Sequence, residues 1–147
     1  VLMRALLQND YPLVKEARDI IASEIMTGGK EGIKEDWSFH QHGAQQQFGN
    51  YGLSFLSGMS FFAGLFSGTS FAFDDKQMEI LNTLLIDGYR WVIWRGEMDI
   101  NSLDRQLFHN APIHKALSVG FVALTLGNKK FVADNFPPRK SGSIYRT

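Results

Sequence analysis

Between Gly32 and Leu53 the chain reads GIKEDWSFHQHGAQQQFGNYGL, a segment that gathers Trp37, His40, His42, a run of glutamines and Tyr51 with almost no aliphatic side chains. Imidazole moves protons near neutral pH, indole stacks on flat ligands, and amide and phenol groups hydrogen-bond, so the segment suits a site better than a core. Gly32, Gly43, Gly49 and Gly52 interrupt any long helix, which predicts a loop entering a helix at about Asn50–Tyr51. His40 and His42 form an H-x-H pair beside Glu35 and Asp36, a composition that could ligate zinc. No third ligand is fixed by spacing, so no metal is expected, and His40 is read as lining the site. Trp37 is the stacking platform of choice. Trp91 and Trp94, three apart in a predicted helix, are expected in the core.

The elements that must position these groups read as helices. Leu2 to Leu7 reads as a helix end, followed by a turn at Gln8-Asn9-Asp10. Pro12 suits the first turn of a second helix, with Val14, Ile21 and Ile25 on one face and Lys15, Glu16 and Asp19 on the other, running to Gly28-Gly29. After the loop, a helix is predicted from about Asn50 to Phe66. Another opens at Asp74-Asp75 and runs to about Trp94, carrying Met78, Leu81, Leu85 and Val92 at helical spacing. Asn110 and Pro112 open a helix from Ile113 to Leu126, closed by Gly127. FVADNFPPRKSGSIYRT reads as extended or loop, its basic residues Arg139, Lys140 and Arg146 as a solvated tail. No alternating strand pattern exceeds four residues. The expected fold is all-α, built of antiparallel helix hairpins.

The 147 residues fit one domain, with 44% hydrophobic and 20% charged residues. Fifteen basic and fifteen acidic residues cancel, so nothing demands nucleic acid or an anionic membrane. The absence of cysteine excludes thiol catalysis and disulfides without fixing a compartment. Gly52 to Phe73 is uncharged over a length that would cross a bilayer, but its Ser, Thr and Gly content favours a helix buried on all sides. The start VLMRALLQND lacks an initiator Met and the regions of a signal peptide, so the chain is read as part of a longer protein.

The phrase DWSFHQHG at 36–43, with a Tyr-Gly nine residues beyond His42, resembles the signature of polysaccharide lyase family 8, whose members act on chondroitin, hyaluronan and xanthan. The resemblance continues at MDINSLDR, 98–105, and covers the chain to about residue 115. It implies His42, Tyr51 and Arg105 as catalytic groups, with Trp37, His40 and His109 contacting substrate. His109 stands where family members commonly carry a second Arg, a departure that bears on substrate preference. The family's catalytic Asn would lie upstream of Val1 and its β-sandwich domains downstream. Residues 1–147 would then form a single partial domain, a fragment of an incomplete α/α toroid in a secreted or periplasmic bacterial enzyme, its partners an anionic polysaccharide and the remainder of the parent chain.

The implied reaction is β-elimination at a uronic acid, without a cofactor. The C5 proton is only weakly acidic beside an ionised carboxylate, so hydrogen bonds and positive charge must stabilise the enolate as it develops. His42 would assist the upstream Asn in this. Tyr51 would take the C5 proton and deliver a proton to the leaving O4. A free phenol has a pKa of about 10, so the scheme calls on the cation of Arg105 and a helix start at Tyr51. Two rivals stand beside it: a non-catalytic glycan-binding helical domain, and a zinc hydrolase using His40 and His42.

Overall fold

A computed structural model describes residues 1–138; the basic tail of Arg139, Lys140 and Arg146 lies outside the described residues. Among the described residues there are six α-helices: α1 Leu2–Leu7, α2 Tyr11–Ser23, α3 Leu53–Phe66, α4 Asp75–Thr83, α5 Ala111–Thr125 and α6 Lys129–Asn135. Four strands of two residues each, β1 Gly32–Ile33, β2 Phe39–His40, β3 Ile93–Trp94 and β4 Glu97–Met98, make two antiparallel hairpins. The all-α expectation holds.

The helix starts follow their side-chain chemistry. Asp10 caps α2 by accepting from the Leu13 amide at 3.1 Å, with Pro12 in the first turn, where no intrahelical amide is required. Asp74 and Gln77 form a reciprocal capping box on α4, each side chain accepting from the other's backbone amide at 2.8 and 3.1 Å. Such a cap contributes about 1 kcal/mol. α3 packs most extensively on α5, and α1 pairs with α2. Leu56 of α3, Leu81 of α4 and Val119 of α5, with Leu84, Leu85 and Leu103, are fully buried in the core.

Helix ends depart further from expectation. α2 stops at Ser23 rather than Gly28, because Thr27 bridges to Ile33 and the Gly28 amide donates to the Ile33 carbonyl at 3.0 Å. Ile25 remains buried, outside the helix. The helix expected to reach Trp94 becomes α4, a π-helical turn at Leu84–Gly88 and a 3-10 turn at Tyr89–Trp91. Arg95 and Gly96 then both take positive φ, 51° and 82°, which closes a two-residue hairpin loop between β3 and β4. Ile93 and Met98 face the core from this hairpin, while Trp91 and Trp94 are 74% and 75% exposed, not buried as their spacing suggests.

The segment after Gly127 is also not a loop throughout. Asn128 caps α6 by accepting from the Phe131 amide at 3.0 Å, and Phe131 is buried. The Phe136 ring folds back on Gly120 of α5, where an added Cβ would lie 3.3 Å from it. α3 is not buried on all sides either: Phe61 and Leu65 point outward beside Phe121 of α5, over a shallow cavity. Among the described residues, no helix is long and apolar enough to cross a membrane.

Candidate active site

Trp37 occupies the loop of the β1–β2 hairpin, and its backbone is left-handed, φ 65°. Bulky residues rarely adopt that conformation, so something must hold it. Asp36 does so by bridging over Trp37: one carboxylate oxygen accepts from the Ser38 amide at 3.0 Å and the Ser38 hydroxyl at 2.6 Å. These two donors hold the Asp36 carboxyl below the usual range, since both favour the ionised form. Behind the loop the Trp37 carbonyl abuts Gly88, where an added Cβ would sit 2.5 Å away.

His42 lies in the next turn, also left-handed at φ 58° and followed by Gly43 at φ 82°. The Gln41 amide closes this turn on the Gln45 carbonyl at 3.1 Å. Glu31 buttresses it from outside: one carboxylate oxygen accepts from the Gly43 amide at 3.3 Å, the other from the Gln41 side chain. The chain then bridges back from His40 to Gln46 and enters a π-helical turn at Phe48–Gly52 that runs straight into α3. Gly52 donates to Gln47 at 2.8 Å, five residues back, as a π turn requires. Tyr89, fully buried, donates to the Phe48 carbonyl at 3.0 Å and sets its ring edge-on to Phe48. Burial pushes its phenol well above the ordinary value.

Tyr51 therefore stands half-buried in the first turns of a continuous helical run, one step from the left-handed turn that carries His42. His42 Nε2 lies 3.1 Å from Tyr51 Oη, with the rings edge to face at 5.1 Å. An imidazole and a phenol at this separation can pass a proton either way, according to the imidazole tautomer.

Arg105 comes from the loop after β4. It is exposed and pairs with neither Asp99 nor Asp104, although both acids lie close in sequence. Asp99 is occupied in capping the 3-10 turn Ile100–Ser102 through the Asn101 amide at 2.7 Å. Asp104, left-handed at φ 53°, accepts from Asn50 Nδ2 at 3.4 Å. On the other side of Arg105, Gln106 Nε2 donates to Asn50 Oδ1 at 2.7 Å, and Lys115 donates to Gln106 Oε1. Partial burial lowers the Lys115 ammonium from its ordinary value. Gly49 lets this happen, because an added Cβ would meet the Ser102 carbonyl at 2.7 Å. The residue before Tyr51 is thus bonded to both neighbours of Arg105.

Among the described residues Arg105 itself makes no hydrogen bond or ring contact with His42 or Tyr51, and the remaining candidates do not either. Trp37 is half-buried against the core, His40 half-buried in β2 and His109 exposed before α5. Among the described residues, no group of three metal-ligating side chains forms around His40 and His42. Sequence reasoning missed Glu31, Asn50, Gln106 and Lys115. Only Asn50, beside the candidate Tyr51, sits where the motif could have drawn notice.

Comparison with known proteins bears on this arrangement. Residues 1–132 match the N-terminal α-helical domain of polysaccharide lyase family 8. The chain is 30% identical over 99 residues to chondroitinase-AC from Pedobacter heparinus, an alignment covering 67% of this chain and 14% of that protein. Its fold matches Paenibacillus xanthan lyase with a TM-score of 0.78 at 23% identity, over 88% of this chain and 13% of that one. It also matches chondroitinase AC lyase from a study of enzyme–oligosaccharide complexes, with a TM-score of 0.74 at 25% identity, over 96% and 22%. The chain thus spans under a quarter of each, and its helix hairpins are part of an α/α-toroid fold. It belongs to polysaccharide lyase family 8, within the N-terminal α-helical domain.

Proposed function

We propose that the chain is a fragment of the catalytic helical domain of a polysaccharide lyase that cleaves a uronate-containing polymer by β-elimination. The observation that carries this is the 3.1 Å contact between His42 Nε2 and Tyr51 Oη, two proton-transferring groups held by left-handed and π turns. Tyr51 oxygen takes the C5 proton, the electron pair becomes the C4–C5 double bond, and the bond from C4 to O4 breaks. Tyr51 then returns the proton to O4. His42 hydrogen-bonds the uronate carboxylate and so assists the upstream Asn in stabilising the developing enolate, and Arg105 supplies the cation that the Tyr51 phenolate calls for.

Trp37, His40 and His109 would contact sugar residues around the reacting pair. Residues 1–147 would be one partial domain, completed by upstream helices and downstream domains of the parent chain, and the fragment alone would be inactive. An enzyme acting on such polymers works outside the cytoplasm, so we assign it to the secreted or periplasmic space of a bacterium.

The test is near-ultraviolet absorbance after mixing the full-length parent with chondroitin, hyaluronan and xanthan separately. A C4–C5 double bond conjugated to the carboxylate gives a rising signal with the polymer that is cut. A flat trace with all three, from folded protein that still binds them, would replace the lyase with a glycan-binding domain.

A further inference from the structure

Away from His42 and Tyr51, the β3–β4 hairpin and α6 enclose a cavity of about 580 Å³. Its rim carries Trp91 and Trp94, each about three-quarters exposed. Large aromatic side chains left this open cost free energy in water and commonly mark a binding surface. Each indole has an arginine over its face: Arg90 at 4.9 Å from the Trp91 centroid, Arg95 at 5.4 Å from the Trp94 centroid. Lys130 lies on the same cavity and is held by Asp134, the one carboxylate among its lining residues. Among the described residues that line this cavity, three cations thus stand against one acid, with Glu97 opposite Trp94 across the hairpin.

The arrangement is open but ordered. Trp94 is fixed by the hairpin register, opposite Glu97, with Ile93 buried beneath it opposite Met98. The positive φ of Arg95 and Gly96 turns the loop so that Arg95 returns over the preceding indole. An indole face matches the C–H face of a pyranose, and a guanidinium forks onto a carboxylate or sulfate. Few ligands present both chemistries in alternation along one chain, and an acidic polysaccharide does.

We propose that Trp91, Trp94, Arg90 and Arg95, with Lys130, form a second binding site for acidic polysaccharide, distinct from the His42–Tyr51 pair. The class of polymer rests on the lyase reading; the site itself rests on the exposed indoles and their cations. The hairpin leads directly into the loop of Asp99 to Arg105, so polymer held here would be retained beside the segment that carries Arg105.

The experiment is hydroxyl-radical footprinting of the full-length parent carrying Tyr51→Phe, read residue by residue by mass spectrometry. It is run alone and with chondroitin sulfate, hyaluronan, xanthan or neutral dextran. Trp91 and Trp94 should be oxidised readily in the free protein and protected by at least one acidic polymer but not by dextran. The paired variant Trp91→Ala/Trp94→Ala should bind that polymer on the order of tenfold more weakly, with an unchanged melting temperature. Protection already present without ligand would assign the surface to the parent chain and overturn the proposal. So would the absence of protection by every acidic polymer, or equal protection by dextran. A flat absorbance trace from the wild type with protection intact would remove the lyase reading alone. A rising trace without protection would remove this site alone.

Discussion

Asn50 Oδ1 accepts a 2.7 Å hydrogen bond from Gln106 Nε2, joining the residue before Tyr51 to the residue after Arg105 across 56 positions of sequence. Asn50 also donates to Asp104, so Arg105 is bracketed by two contacts with one side chain. The loop that carries Arg105 is therefore tied to the turn that carries Tyr51 through the Asn50 side chain. Asn50→Ala would leave half-buried Gln106 without this partner, at a cost of about 1 kcal/mol, while exposed Asp104 turns to water. Expected is a fall in kcat of about tenfold or more at little change in KM, measured on the full-length parent; an unaltered kcat would remove Asn50 from the positioning scheme.

Glu31 should matter to His42 and not to the core. Its carboxylate braces the turn from Gln41 to Gly43, and it is exposed. Glu31→Ala is expected to lower kcat several-fold while the melting temperature stays within about a degree or two, as for most surface substitutions. Steady-state kinetics beside thermal unfolding separates the two. Loss of stability without loss of rate would contradict the assignment.

Gly88 and Gly49 are close-approach positions, and each tolerates no Cβ. Gly88→Ala drives a methyl to 2.5 Å from the Trp37 carbonyl, and Gly49→Ala to 2.7 Å from that of Ser102. Both neighbours are backbone, which cannot yield by rotating a side chain. Each substitution should cost about 1–3 kcal/mol, visible as a lowered denaturation midpoint. Gly58→Ala, with nothing near its Cβ site and within α3, is the control and should be neutral or stabilising.

Alkaline pH should find Tyr89. Its phenol is buried and bonded to the Phe48 carbonyl, and its folded pKa is raised by desolvation. A group whose folded value lies above its unfolded value stabilises fully below the unfolded pKa, about 10 for Tyr, and that contribution is lost as pH rises beyond it. Stability should therefore fall above about pH 10, and Tyr89→Phe should show a smaller fall from a lower starting point. Denaturant midpoints measured across that range decide it; parallel curves would contradict the burial argument.

The sequence reading is strongest where chemistry is local. Asp10 with Pro12, and Asp74 ahead of Gln77, announce helix starts because a cap acts within one turn. It fails where a few positive φ angles redirect the chain. Arg95 and Gly96 turn an apparent helix end into a hairpin and expose Trp91 and Trp94. α6 escapes notice because its apolar stripe is short and its stability comes from Phe131 and Phe136 packing on α5. At the site, the segment that holds His42 and Tyr51 stands out by composition. Their contact is set by the left-handed turn at His42 and the π turn at Tyr51, and the bonds of Asn50 cross more than fifty residues. No periodicity reports either.

Tyr51→Phe is the most direct test of the proposed chemistry, because it removes one oxygen from the 3.1 Å contact with His42 and leaves the ring in place. In the full-length parent, double-bond formation and equilibrium binding are measured with the same polymer. The expected result is a loss of turnover of about a hundredfold or more, the scale of a lost proton-transfer group, with binding within about threefold of the wild type. A variant that turns over at the wild-type rate would contradict the assignment of Tyr51 as the proton carrier.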